Sequence, residues 1–242
     1  FKARIINMLK LRKSQLLLKN KAMLLQEEVD KATLRLKESE LETLQMLGKT
    51  AEYKDPETNA HTKRVSHYCK ILARAYGLDE NLQDIIFYAS PFHDLGKIGI
   101  PDRILLKPGK LDADEYEIMK KHSQIGYEIL KGSKSKYLKA GGVIAYNHHE
   151  KYDGTGYPNG LRGQSIPIFG RITAIADVFD ALTSIRPYKK AWSVDEAFNL
   201  LIEEKNRHFD PILVDLFIKN KEDVMNIHNK FSQEELNDKI YL

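Results

Sequence analysis

The sequence has a single cysteine, Cys69, in 242 residues. One thiol excludes an intrachain disulfide framework and a Cys-rich structural zinc site. It also suits a reducing cytoplasm, the expected location. Long apolar runs are absent. Scraps such as Leu16-Leu17-Leu18 fall far short of the roughly 18 residues of a membrane helix, so membrane insertion is not expected. No secretory signal pattern opens the chain, and the first residue is Phe1 rather than Met, so the chain reads as a fragment of a longer protein. Neither sign of charge dominates. Lys and Arg number 38 against 34 Asp and Glu, and the net +4 is too mild to imply DNA as a partner, although it suits an anionic substrate.

What is present starts with a 42% apolar fraction, enough for a real core, which excludes global disorder. Residues 1–50 stand apart. They hold no Pro, only Gly48, and many Lys, Glu and Leu, a composition that predicts a long helix. Met8, Leu11, Leu18, Ala22, Leu25, Val29, Ala32 and Leu36 follow a 3–4 spacing, with Gln15, Ser39 and Thr43 interrupting the stripe. Leu9, Leu16 and Met23 form a second line beside it. Two readings stay open: a coiled-coil or helical-bundle linker able to pair two chains, or an amphipathic helix packed on its own chain.

From residue 51 the pattern becomes helices punctuated by loops, without alternating strand runs, and predicts an all-α domain over 51–242. Asp55-Pro56-Glu57 reads as a helix start. Helices are also expected over 82–89, from Asp112 with Glu115 through about Leu130, over 171–182, from Ser193 with Glu196, and from Asp210-Pro211. The Gly- and Pro-rich segment 153–167 must be loop.

The eight histidines are the chemical signal. His61 lies one turn after Glu57, so the pair points the same way on a helix. His93-Asp94 follows an apolar helix, His122 sits on the helix opened by Asp112, and His148-His149 precede the Gly-rich loop. Asp177 and Asp180 share a face of the next helix. Histidine and carboxylate without thiolate suit Fe, Mn, Zn or Ni. A carboxylate beside a ligating His can bridge two ions, the arrangement used to cleave phosphoesters. Each fragment alone is weak, and Glu57 alone could serve the helix dipole. Their combined order carries the signal. His67, His208 and His228 match no carboxylate pattern and receive no role. Cys69 and Trp192 read as packing residues.

The segment 93–101, His-Asp-Leu-Gly-Lys-Ile-Gly-Ile-Pro, resembles the signature of the HD superfamily of metal-dependent phosphohydrolases. The segment 148–158, which ends Asp153-Gly154-Thr155-Gly156-Tyr157-Pro158, resembles the second signature of the HD-GYP subfamily. The flanks agree at 104–111, 177–183, 186–188 and 209–211. The resemblance covers about residues 50–220. It implies an HD-type helical bundle holding two or three divalent ions, commonly Fe with Mn possible, that hydrolyses cyclic di-GMP to pGpG and often to GMP. It also implies a sensor region upstream, with residues 1–50 as the end of a signalling linker. Carried over by motif, the metal ligands are His61, His93, Asp94, His122, His148, His149 and Asp177, with Asp94 as the bridge and Glu57 serving a third ion. Many members have Gly in the turn before the first His; here Thr58-Asn59-Ala60 stands there and reads as helical.

In that setting Asp94 and Lys97 are the catalytic candidates. Lys97 would hold a phosphate oxygen or help protonate the leaving group. Arg186 and Lys189 would bind the other phosphate. Tyr157 would stack on a base or donate to a phosphate. Asp180 would orient a ligand or contact substrate, and Asp153 would support a histidine N–H. The alternatives are a catalytically weak sensor or docking module, and an HD hydrolase of another nucleotide.

Overall fold

The computed structural model describes residues 1–52, 59–184 and 191–240. It divides into two units, Phe1–Gln45 and Met46–Leu242. Helix α1, Lys2–Glu52, runs through Gly48 without a break, so the backbone stays helical where the composition changes.

Nine further helices follow among the described residues: α2 (Asn59–Tyr76), α3 (Glu80–Ala89), the single turn α4 (Asp102–Leu105), α5 (Ala113–Leu130), α6 (Lys136–Asn147), α7 (Ile168–Thr183), α8 (Val194–Glu203), α9 (Pro211–Lys219) and α10 (Lys221–Ile240). No strand occurs among these residues, only isolated bridges of Asp153 with Arg162 and Lys205 with Phe209. The all-α expectation is met. The helix starts follow their caps. Asp112 and Ser193 form full capping boxes with Glu115 and Glu196, and Asp210 caps α9 through Ile212 N. Helix α3 starts two residues earlier than its apolar pattern implies, because Asp79 caps it by accepting from Leu82 N at 2.8 Å. The start at Asp55-Pro56-Glu57 lies outside the described residues. Asn59 and Ala60 are helical, as their composition implies.

Helix α2 is the hub of the second unit, packing against α3, α7, α9 and α10. Val65, Tyr68, Cys69 and Leu72 recur at the 3–4 spacing of one helix face and are fully buried. Tyr68 meets Phe179 of α7 and Phe217 of α9 edge-on, at ring separations of 5.5 and 6.0 Å. Burial drives the Cys69 thiol up to about 12, so it stays an inert packing group as expected. Trp192 is a correction. It is 37% exposed, because it lies on the surface just before the α8 cap, and its backbone N–H bonds to Leu182 O.

Candidate metal centre

Each histidine is aimed by the backbone around it. His93 follows the short 3₁₀ turn Ser90–Phe92, and its Nδ1 faces Ser90 O at 2.9 Å. On α5, His122 Nδ1 faces Met119 O at 2.7 Å. At the end of α6, His148 Nδ1 faces the carbonyls of Ile144 and Ala145, both at 3.1 Å. A carbonyl can only accept, so in all three rings Nδ1 carries the proton and Nε2 presents a lone pair. His61, in the first turns of α2, turns Nδ1 to Asp180 Oδ2 at 2.8 Å, leaving Nε2 toward Asp177.

The Nε2 atoms converge on two carboxylates. His122 and His148 lie 3.3 and 3.6 Å from Asp94 Oδ1. His93 lies 3.3 Å from Asp94 Oδ2 and 3.7 Å from Asp177 Oδ1, and His61 is 3.7 Å from that same Asp177 oxygen. The potential ligand atoms form two groups, each within 4.8 Å: Asp94, His122, His148 and His149, and His61, His93 and Asp177. His61, His93, His122 and His148 are buried, whereas Asp94, His149 and Asp177 are half-buried and mark the approach from solvent.

These groups fit divalent cations. Nε2 of His93 and of His148 and Oδ1 of Asp94 are buried without a hydrogen-bond partner among the described residues, a costly state for a polar atom unless a cation satisfies it. The protonation pattern agrees. Burial opposes the Asp94 carboxylate, but Lys97, His93 and His148 together hold its pKa well below the ordinary range. Burial, helped by the charge of neighbouring histidines, lowers His122 to about 4 and pushes His149 down as well. Burial also opposes charge on His93, but Asp94, Asp177 and the Ser90 carbonyl outweigh it and raise His93 to about 10. His122 and His149 thus offer neutral nitrogen donors beside anionic carboxylates, and without an ion the same carboxylates draw a proton onto His93, the positive charge that a bound cation would replace.

Lys97 Nζ is 2.6 Å from Asp94 Oδ2. Tyr157 stacks on His149 with ring centroids 4.7 Å apart, and Lys120 lies 5.7 Å from the Tyr157 ring. Glu150, whose role the sequence did not disclose, is buried and accepts backbone N–H groups from Asn159 at 2.8 Å and Leu161 at 2.9 Å. That clamp ties the loop carrying Tyr157 to the residue next to His149.

Asp180 and Asp153 need correction. Asp180 is fully buried and receives Arg64 bidentately, at 2.6 and 2.9 Å, besides His61 and Ser184, so orienting His61 fits and contact with substrate does not. Asp153 accepts Thr155 N and Oγ1 at 2.9 and 2.7 Å rather than a histidine N–H, because its own turn offers those donors first. Arg64 escaped the sequence reading; its one signal is the i,i+3 spacing from His61. Glu57, Arg186 and Lys189 lie outside the described residues. His208 stacks on Phe209 and burial lowers it to about 4, while His67 packs on Phe87 and Phe231.

Gly96 brings the His93-Asp94 turn against α5. A Cβ there would fall 1.9 Å from His122 O and 2.5 Å from Gly126 N, both backbone atoms that no rotamer change can move. Gly96→Ala is therefore expected to destabilise the fold by roughly 3 kcal/mol, whereas Gly132→Ala, with open space around it, should stay within about 0.5 kcal/mol. Urea unfolding of both variants checks this, and equal midpoints would refute the close approach.

A family model described as HD domain matches residues 45–213. The chain belongs to the HD-domain family. The resemblance read from residues 93–101 and 148–158 holds at that level. A cyclic di-GMP phosphodiesterase response regulator, RpfG, of Xanthomonas campestris pv. campestris (strain 8004) is 45% identical over 231 residues, 96% of this chain and 61% of that protein. A 3'3'-cGAMP-specific phosphodiesterase 2 of Vibrio cholerae serotype O1 (strain ATCC 39315 / El Tor Inaba N16961) is 51% identical over 185 residues, 76% of this chain and 35% of its own. This HD domain thus spans less than two thirds of the length of either relative. The solved structure of a cyclic GMP-AMP specific phosphodiesterase of V. cholerae covers 81% of this chain and 53% of its own with a TM-score of 0.60 at 18% identity, a likeness of fold. No helix among the described residues is long and apolar enough to cross a membrane.

Proposed function

We propose that this HD domain hydrolyses cyclic di-GMP to pGpG, to GMP or to both, at a centre of two or three divalent ions, Fe or Mn. One observation carries the reading. The two oxygens of Asp94 face different ligand groups, Oδ1 toward His122 and His148 and Oδ2 toward His93, as a bridging carboxylate requires. His61, His93 and Asp177 would hold one ion, and His122, His148 and His149 another. Glu57 would serve a third. Bound ions would activate water, orient it and neutralise phosphate oxygens.

The chain's own groups divide the remaining work. Lys97, held beside Asp94, puts a cation where a phosphate oxygen or the departing 3′ oxygen would lie. Burial and the neighbouring Tyr116 raise the Tyr157 pKa, so its hydroxyl remains a donor for a phosphate. Arg186 and Lys189 would grip the second phosphodiester. The domain is taken as residues 51–242, working in the cytoplasm. Residues 1–50 form a linker that carries input from an upstream sensor and pairs two chains.

A second reading, 3'3'-cGAMP as substrate, is favoured by the relative of that specificity at 51% identity. The test uses protein purified without oxygen, assayed for metal content and for products on a panel of cyclic dinucleotides. Cyclic di-GMP turnover that stops on chelation and returns with Fe or Mn supports the proposal. Hydrolysis confined to 3'3'-cGAMP moves the assignment to the second reading. No turnover with any ion would leave a sensor or docking module. Three ions per chain would support the role given to Glu57, and two would remove it.

A further inference from the structure

The first turns of α5 set a cation, a carboxylate and an aromatic ring at the edge of the metal centre. Lys120 Nζ lies 5.5 Å from the Tyr116 ring, 5.7 Å from the Tyr157 ring and 2.5 Å from Glu117 Oε1. Tyr157 in turn stacks on His149, so the ammonium is one ring removed from a proposed metal ligand. Helix spacing explains part of this, because residues three and four apart meet on any helix. The same three residue types recur eleven residues later as Tyr127, Glu128 and Lys131. There Lys131 pairs with Glu128 and lies 6.0 Å from the Tyr127 ring, and its side chain is 48% exposed. The Lys120 side chain is 26% exposed, with Tyr157 as a second ring beside it. The loop after His149 therefore turns a local helix motif into part of the site. Tyr116 itself is 49% exposed, which leaves its ring open to a flat ligand.

The chemistry of these groups defines what they can bind. An exposed tyrosine ring takes a nucleobase by stacking. An ammonium only donates, and a carboxylate only accepts. The outer edge of guanine carries the O6 acceptor beside two successive donors, the N1–H and the 2-amino group. The oxygen suits Lys120, and the two donors suit the two oxygens of one carboxylate. Adenine has an acceptor at N1 and a C–H at position 2, so it offers a carboxylate a single donor, its 6-amino group. We infer that Tyr116, Glu117 and Lys120 form the subsite for one guanine of the substrate, with Tyr116 stacking, Lys120 donating to O6 and Glu117 accepting from N1 and the 2-amino group. This subsite rests on the reading of the substrate as a cyclic dinucleotide and adds its base requirement. Cyclic di-GMP and 3'3'-cGAMP both meet it, and a cyclic dinucleotide with two adenines does not.

Calorimetry with GMP and AMP on the metal-loaded chain tests the subsite without turnover, because the two ligands differ only in the base. GMP should bind the unsubstituted chain at least about tenfold more tightly than AMP. An amide both donates and accepts, so Glu117→Gln should cut that ratio to about twofold or less. Lys120→Met should weaken GMP binding at least about fivefold. Glu128→Gln and Lys131→Met, the matching pair away from Tyr157, should leave both affinities unchanged. The KM for cyclic di-GMP should rise about tenfold in Glu117→Gln. Equal affinity for GMP and AMP in the unsubstituted chain, or a preference that Glu117→Gln leaves intact, would overturn the subsite even where cyclic di-GMP is hydrolysed. A chain that hydrolyses no cyclic dinucleotide, yet prefers GMP and loses that preference in Glu117→Gln, would remove the enzyme reading and leave the subsite standing.

Discussion

Asparagine in place of Asp94 is expected to lower cyclic dinucleotide turnover by at least about a thousandfold and to strip bound metal from the protein, while leaving the fold intact. The reason is its position between two donor groups. Oδ1 serves the side of His122 and His148, and Oδ2 serves the side of His93, with Lys97 2.6 Å away. An amide keeps one oxygen but replaces the other with an NH₂ group, which cannot act as a ligand and would point donor hydrogens at lone pairs of the surrounding imidazoles. The charge that draws cations in is lost as well. Elemental analysis of the variant should show at least one ion fewer per chain, and a thermal unfolding midpoint close to the parent's would separate loss of metal from loss of fold. Full metal content with full activity would remove Asp94 from the bridging position.

Why Asp94 was legible and its supports were not follows from distance along the chain. His93-Asp94 and His148-His149 sit in contiguous signatures, and the caps at Asp112, Ser193 and Asp210 announce the helices around them. The groups that aim the ligands leave no such trace. Ser90, Met119, Ile144 and Ala145 contribute carbonyl oxygens, which every residue type possesses, so their identity says nothing about the role. Glu150 stands inside a signature, yet its work is to hold the N–H groups of Asn159 and Leu161, a loop closure visible only once the chain has folded. Asp180 was read correctly as lying on the face of Asp177, but its burial against Arg64, more than a hundred residues earlier in the chain, turns a possible substrate contact into an internal support.

Arg64→Ala tests that internal support and should be the most destabilising charge deletion in the domain, costing about 3–5 kcal/mol at neutral pH. Arg64 is 2% exposed and Asp180 fully buried, and the guanidinium grips both carboxylate oxygens while also donating to Ser184 Oγ at 2.7 Å. Truncating it strands an ionised carboxylate in the core with only His61 and Ser184 as partners. The pH dependence identifies the mechanism. Burial alone would raise the Asp180 pKa, but hydrogen bonds and charge from His61 and Arg64 overcome it and hold the group at about 2. With a folded pKa below the ordinary 3.8, the pair stabilises the parent above pH 3.8, and that contribution fades as pH falls through 2. In Arg64→Ala the burial effect prevails and the folded pKa should rise above the unfolded value. The sign then inverts: the folded variant binds the proton more tightly than the unfolded chain, so its stability should fall as pH rises above about 4. Urea midpoints from pH 4 to 7 should therefore diverge, with the variant losing most at neutral pH, and Arg64→Ala/Asp180→Ala should recover part of the loss. A cost below about 1 kcal/mol that is independent of pH would show that Asp180 does not depend on Arg64, and the aim of His61 toward Asp177 would then have to come from α2 alone.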